Sequence, residues 1–243
     1  LSKEEKTIIF LCQETTYRYG HRKIRELLKR RYQMKLNRNT VQRIMQKYNL
    51  QCRVKKKRKW KSQGESVIVA PNLLQRDFYA LKPNQKWVTD ITYIQYGSDT
   101  LYLSTIMDLF NNQIIAYKLY THQQIPLVMD TLSEALEKRG NPKRVIIHSD
   151  QGSVYTSYAY QNQIKEKDLV SSMSRRGNCW DNAVIESFHS NLKSEEFQFV
   201  KFNSLSLEEV RERVDNFMRY YNEVRIQEKL GYHTPIEFGD MTA

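Results

Sequence analysis

Three acidic residues stand where acids are uncommon. Asp90 lies inside Lys86–Ile94 (KWVTDITYI), an alternating, β-branched run that predicts a strand. Asp is depleted in strands, so its presence there asks for a reason. Asp150 follows the apolar run Val145-Ile146-Ile147, where a strand gives way to the turn HSDQG. Glu186 lies in DNAVIESFHSNLK, which predicts a helix. Two carboxylates at strand positions and one on a helix suggest a shared metal site. Hard divalent cations take oxygen ligands, and magnesium is commonly held by one or two carboxylates plus substrate phosphates. The chemistry that suits such a set is cutting or joining a phosphodiester. Two ions roughly 3.5–4 Å apart can activate the attacking oxygen and stabilise the leaving one. Each acid also has a plain structural reading: a hydrogen-bonded Asp90, a turn-forming Asp150, a Glu186 on a solvated helix face. Asp108 and Asp181 compete with them, Asp108 as a structural or neighbouring residue of the middle strand.

The elements must bring these positions together. From Asn84 the hydrophobic period is two, which predicts strands over 87–96, 101–109 and 114–120, joined by short turns as an antiparallel meander. Residues 126–139 predict a helix ended by Gly140-Asn141-Pro142. A fourth strand follows over 144–149, a helix over 155–167 and a short strand over 169–173. A loop through Arg175, Arg176, Asn178 and Trp180 leads into the Glu186 helix, and a long helix spans 205–225. Strands first, then alternating helix and strand, predict a mixed five-stranded sheet with helices on its faces. Parallel pairing of the first and fourth strands would set Asp90 beside Asp150. The Glu186 helix would reach in from one face.

Residues 3–50 read as all-helical. Ile24, Leu27 and Leu28 form one apolar stripe, and Val41, Ile44, Met45 and Tyr48 form another. Asn39 is the expected cap of the last helix, with Arg38 just before it and Arg43 on its outer face. Two short helices and a basic second helix suit a helix-turn-helix that reads DNA, or a small bundle with a solvated basic face. Residues 53–61 (RVKKKRKWK) include Lys55, Lys56, Lys57 and Arg58, a block that either tracks phosphates or is a solvated linker. The expected organisation is a helix-turn-helix domain over 1–50, a basic linker over 51–80, a catalytic core over 81–200, and a helix and tail over 201–243.

The 243 residues carry 39 Lys and Arg against 27 Asp and Glu, a net charge of +12. That favours a polyanionic partner, nucleic acid before membrane. No apolar run approaches the ~20 residues of a membrane span. The three cysteines form no Cys-x-x-Cys pair, which argues against structural zinc. A reducing, cytoplasmic compartment is expected.

The segments WVTDITY, HSDQGSVY and SRRGNCWDNAVIESF closely resemble the Asp-Asp-Glu core of insertion-sequence transposases of the IS-three family. Thirty-five residues separate Asp150 from Glu186, as that family pattern requires. Lys193, seven residues past Glu186, matches the family's basic residue near the active site. The stretch YGHRKI at 19–24 is similar to the family's accessory helix-turn-helix, and residues 221–238 are similar to its C-terminal signature. Gln227 departs from that signature, which usually has His there.

The resemblance implies a ribonuclease H-like, retroviral-integrase-like fold behind the helix-turn-helix. It implies that Asp90, Asp150 and Glu186 are both catalytic residues and metal ligands, holding two magnesium ions, with manganese as substitute. The implied activity cleaves the element ends, joins them into a circular intermediate and inserts it into target DNA. The implied partners are double-stranded DNA of the terminal inverted repeats, target DNA, and a second copy or more of the chain when ends are paired. An upstream fused segment, OrfA, is a further expected partner. Lys193, Arg175, Arg176, Trp180, Arg38, Arg43, Lys55, Lys56, Lys57 and Arg58 are the expected DNA contacts. For Trp180, core packing is the alternative. A nuclease that hydrolyses without joining, and a non-catalytic DNA-binding regulator, are the other classes these residues admit.

Overall fold

The computed structural model describes residues 1–52, 68–198, 200 and 205–242. The basic block with Lys55, Lys56, Lys57 and Arg58 lies outside the described residues. The chain divides into two compact units. One holds Leu1–Lys57 with Ile226–Thr234, and the other Arg58–Arg225 with Pro235–Ala243.

The first unit packs α1 (Lys3–Glu14), α2 (His21–Tyr32) and α3 (Arg38–Lys47) against one another. Ser2 and Glu5 form a reciprocal capping box on α1. The two expected apolar stripes face the core: Ile24, Leu27 and Leu28 from α2, Val41, Ile44 and Met45 from α3. The cap of α3 is Asn37, whose Oδ1 accepts the Asn39 N–H at 2.9 Å. Asn39 is therefore inside the helix, and so is Arg38, its first residue. The segment Ile226–Thr234 closes this unit. Tyr19 Oη accepts the Ile226 N–H at 3.0 Å, and Arg30 donates to the Gly231 carbonyl at 3.1 Å. The expected tail over 201–243 is thus shared between the two units.

The second unit is built on five strands in the order β3-β2-β1-β4-β5. They are β1 (Lys86–Tyr96), β2 (Asp99–Asp108), β3 (Gln113–Tyr120), β4 (Ile146–Ser149) and β5 (Val170–Met173). β1–β2–β3 is antiparallel, and β4 pairs parallel with both β1 and β5. The helices are α4 (Ile125–Lys138), α5 (Tyr158–Glu166), α6 (Ala183–Glu195), α7 (Leu207–Arg219) and α8 (Pro235–Met241). Apolar side chains of α4 and α5 pack on one face of the sheet with Trp87, Ile106 and Ile147. Those of α6 and α7 pack on the other with Val88, Leu103 and Met107.

Several boundaries differ from those expected. β4 starts at Ile146 because Arg144 has φ +58°, a left-handed residue that a strand cannot include. α5 starts at Tyr158 because Ser157 caps it, its Oγ accepting the Tyr160 N–H. The long helix over 205–225 is α7 followed by a π-helical turn, Tyr220–Val224. That turn aims Asn222 at β3, where its side chain pairs with both the N–H and the carbonyl of Ile114 at 2.9 Å. The expected linker ends early. Ile68 donates to the Thr156 carbonyl, Leu73 donates to Ser172 Oγ, and Leu74 is buried in the core.

Candidate active site

Parallel pairing of β1 with β4 runs to Val88 opposite His148. Continued two residues further, the same register sets Asp90 opposite Asp150, just past the end of β4. Asp150 is fixed by its turn. The Gly152 N–H donates to Asp150 Oδ1 at 2.8 Å, and a Cβ on Gly152 would stand 2.9 Å from that same oxygen. Asp90 shares the face of β1 that carries Val88, toward α6. On α6, Ile185, Phe188 and Leu192 are buried in the core. The neighbouring stripe, Glu186, His189 and Lys193, runs along β1. His189 Nδ1 lies 3.4 Å from Asp90 Oδ2, and its Nε2 is 2.8 Å from Thr105 Oγ1, the cross-strand partner of Asp90. Lys193 Nζ sits over the Tyr93 ring, 4.4 Å from its centroid.

The three acids share one electrostatic field. Burial, then the Asp90 charge, pushes Asp150 up to about 6. Burial, then the charges of Asp90 and Asp150, pushes Glu186 up to about 7. Among the described residues, no three His, Cys, Asp or Glu side chains are gathered closely enough to hold a metal ion unaided. Asp150 Oδ1 is turned onto the Gly152 N–H. The set is nonetheless all oxygen and partly shielded, which is the donor chemistry a hard divalent cation takes.

The competing acids are structural. Asp108 is fully buried and accepts the N–H groups of Asn84 and Phe110. Asp181 is also fully buried; the bond from Arg175, seconded by Arg76, holds its carboxyl well below the usual range. His148 bonds Ser172 Oγ through Nδ1 at 2.8 Å, and burial pushes it down to about 4, leaving it neutral near pH 7.

Arg175 is thus anchored on Asp181 by two guanidinium bonds of 2.8 and 2.9 Å, while still exposed. Arg176 is exposed, and Trp180 is 66% exposed, so core packing of its indole is ruled out. Arg38 and Arg43 lie on exposed positions of α3. The loop that carries Arg175 and Trp180 is tied to the acids. Ser174 N–H donates to the Ser149 carbonyl, Gln151 donates to the Ser174 carbonyl, and Asn182 donates to the Thr89 carbonyl. Sequence reasoning kept His189 out of catalysis, as a structural or DNA-contacting residue flanking the site, and overlooked Arg76. For His189 the signal was its place three residues past Glu186, one turn along the same stripe. Arg76 was hidden inside a stretch read as linker.

Comparison with known proteins agrees with this architecture. Residues 2–58 match an HTH-like domain, and residues 80–179 and 167–235 match an integrase core domain. The chain is 41% identical over 238 residues to the Escherichia coli K12 protein assigned as transposase InsK of insertion sequence element IS150, covering 98% of this chain and 83% of that protein. It is 39% identical over 176 residues to transposase InsF of insertion sequence IS3A from the same organism, 72% of this chain and 60% of that protein. Its fold is like that of the HTLV-2 integrase catalytic core domain, solved as a dimer in complex with magnesium. The TM-score is 0.52 at 16% identity, over 65% of this chain and 98% of that one. With an HTH-like domain ahead of an integrase core of ribonuclease H-like fold, the chain belongs to the insertion-sequence transposases of the IS3 family.

Proposed function

We propose that this transposase uses Asp90, Asp150 and Glu186 to cleave DNA at the ends of its element and to join the freed 3′-hydroxyl to a second phosphodiester. The observation that carries the reading is geometric: the parallel register of β1 and β4 sets Asp90 opposite Asp150, and α6, which carries Glu186, reaches Asp90 through His189. These residues would hold magnesium, with manganese as substitute. Two such ions would activate the attacking oxygen and stabilise the leaving one. The Gly152 N–H aims Asp150, and His189 steadies Asp90 from Thr105. Lys193 and Arg176 offer cationic contacts for backbone phosphates beside the acids, and Arg38 and Arg43 do so on α3.

In this reading the helix-turn-helix binds part of the terminal inverted repeat, and the core joins one end to the other as a circular intermediate before insertion into target DNA. Pairing two ends requires at least two copies of the chain, with an upstream OrfA segment as a further partner. The test is an end-joining assay with magnesium on DNA carrying two candidate ends. Asp150→Asn should keep its fold and its DNA binding and lose both cleavage and joining. Product formed by Asp150→Asn at the wild-type rate would end the assignment.

A further inference from the structure

A second constellation lies beside the acids. Asp181, with no exposed surface, is gripped from two sides. Arg175 donates Nε and Nη2 to its two oxygens at 2.8 and 2.9 Å, and Arg76 donates Nε to Oδ1 at 2.9 Å. Two guanidinium groups against one carboxylate leave a net positive charge. Both arginines remain accessible, with side-chain exposures of 46% for Arg76 and 60% for Arg175. Neither Nη1 takes part in these bonds. They line a cleft of about 450 Å3 together with Asn72 and Gln75. Asn178 Oδ1 accepts from both Arg76 Nη2 and the Trp180 N–H, and Trp180 directly precedes Asp181 in the chain. Asn182, two residues past Trp180, is bonded to the Thr89 carbonyl next to Asp90.

We infer that Arg76, Arg175 and Trp180 form a subsite for an unpaired nucleotide at a DNA strand end, the arginines taking its phosphate and the indole its base. This rests on the proposed DNA chemistry of the neighbouring acids, but it concerns binding alone. A buried carboxylate that orients two guanidinium forks presents their remaining N–H groups in a fixed array, which suits phosphate oxygens. An exposed indole on a short, tethered turn offers a flat face that in a folded core would be covered. A base inside a duplex already has both faces stacked, and the last base of a blunt end stays tied to its complement, so an unpaired base is the one free to reach that surface. The ties from Asn182 to β1 and from Ser174 to β4 hold the subsite within reach of Asp90 and Asp150.

The test uses the full chain without divalent metal, so no cleavage intervenes. Fluorescence anisotropy compares a blunt DNA duplex with the same duplex carrying a short 3′ overhang. Wild type should prefer the overhang. Trp180→Ala, at an exposed position, should fold normally and weaken overhang binding by about tenfold while leaving blunt binding unchanged; Trp180→Phe should restore most of it. Arg76→Lys, which keeps the charge and loses the fork, should reduce the preference as well. With iodouracil in the overhang, the photo-crosslink should map to the peptide containing Trp180. Equal binding of both duplexes by wild type would overturn the proposal. So would equal loss on both in Trp180→Ala, or a crosslink elsewhere. Failure of the catalytic reading would show separately, as activity retained in Asp150→Asn.

Discussion

A methyl group at position 152 has no room while Asp150 stays where it is. The nearest atom to a Cβ there is Asp150 Oδ1 at 2.9 Å, the end of a side chain and not backbone. The carboxylate would move and the chain would stay. Gly152→Ala should therefore melt within about 2 °C of wild type yet lose on the order of a hundredfold in end cleavage, because misplacement by about an ångström costs that much. Paired calorimetric and cleavage measurements check it, and unchanged cleavage would show that Asp150 is not fixed by this turn. The raised acids have a stability cost with a definite sign. Asp150 titrates near 3.8 when unperturbed and near 6 in the fold, so the native state holds its proton more tightly. Stability from that proton is full below about 4 and is lost as pH rises through 6. Metal-free Asp150→Asn should thus melt several degrees above wild type at pH 8, with the gap closing toward pH 4. Magnesium should raise the wild-type melting temperature and leave that of the variant nearly unmoved. Equal melting of the two proteins at pH 8 would contradict the mutual repulsion. The three acids were legible in sequence because each breaks a local preference. The ties that aim them were not, because the Thr105–His189–Asp90 contacts join residues far apart in the chain.

At the scale of elements, hydrophobic patterning located the five strands and the longer helices of the described residues, since a buried face repeats regardless of what covers it. The ends were less legible because they depend on single residues with several uses. Asn37 and Asn39 are chemically equal candidates for capping α3, and only the extended backbone at Asn37 decides between them. The break of the last long helix into a π-helical turn follows from Asn222 reaching an irregular stretch of β3, a partner 108 residues away. α6 has an anchor of the same hidden kind. Glu195 near its end takes three bonds of 2.7–3.1 Å from Arg225, and both residues are buried. Burial works against the Arg225 charge, and Glu195 more than offsets it, raising the guanidinium above its ordinary value. Glu195→Ala would leave that cation buried alone, which costs about 3–5 kcal/mol. In a urea melt the transition of the core unit should show this as a midpoint shift at unchanged slope, whereas a loss under about 1 kcal/mol would mean the pair behaves as a surface contact.

At the scale of the whole molecule, the chain leaves the core unit at Ile226, contributes nine residues to the helical unit and returns at Pro235. The apolar stripes of α1–α3 and the two faces of the sheet are separate cores, so unfolding need not be one event. Calorimetry should resolve two transitions. Phe188→Ala, at the centre of the α6 packing, should lower one of them and leave the other in place. Tyr19→Phe tests the unit boundary itself. Tyr19 is buried, and its hydroxyl accepts the N–H of Ile226. Removing the oxygen leaves that amide without its acceptor, at a cost of about 1–3 kcal/mol. The lost bond joins α1–α3 to the returning segment, so Tyr19→Phe should lower the transition that Phe188→Ala spares. It should also weaken binding of element-end DNA through α3 without changing the magnesium response of the core. If Tyr19→Phe instead lowers the transition that Phe188→Ala affects, residues 226–234 belong energetically to the core. The helical unit would then end with the N-terminal segment.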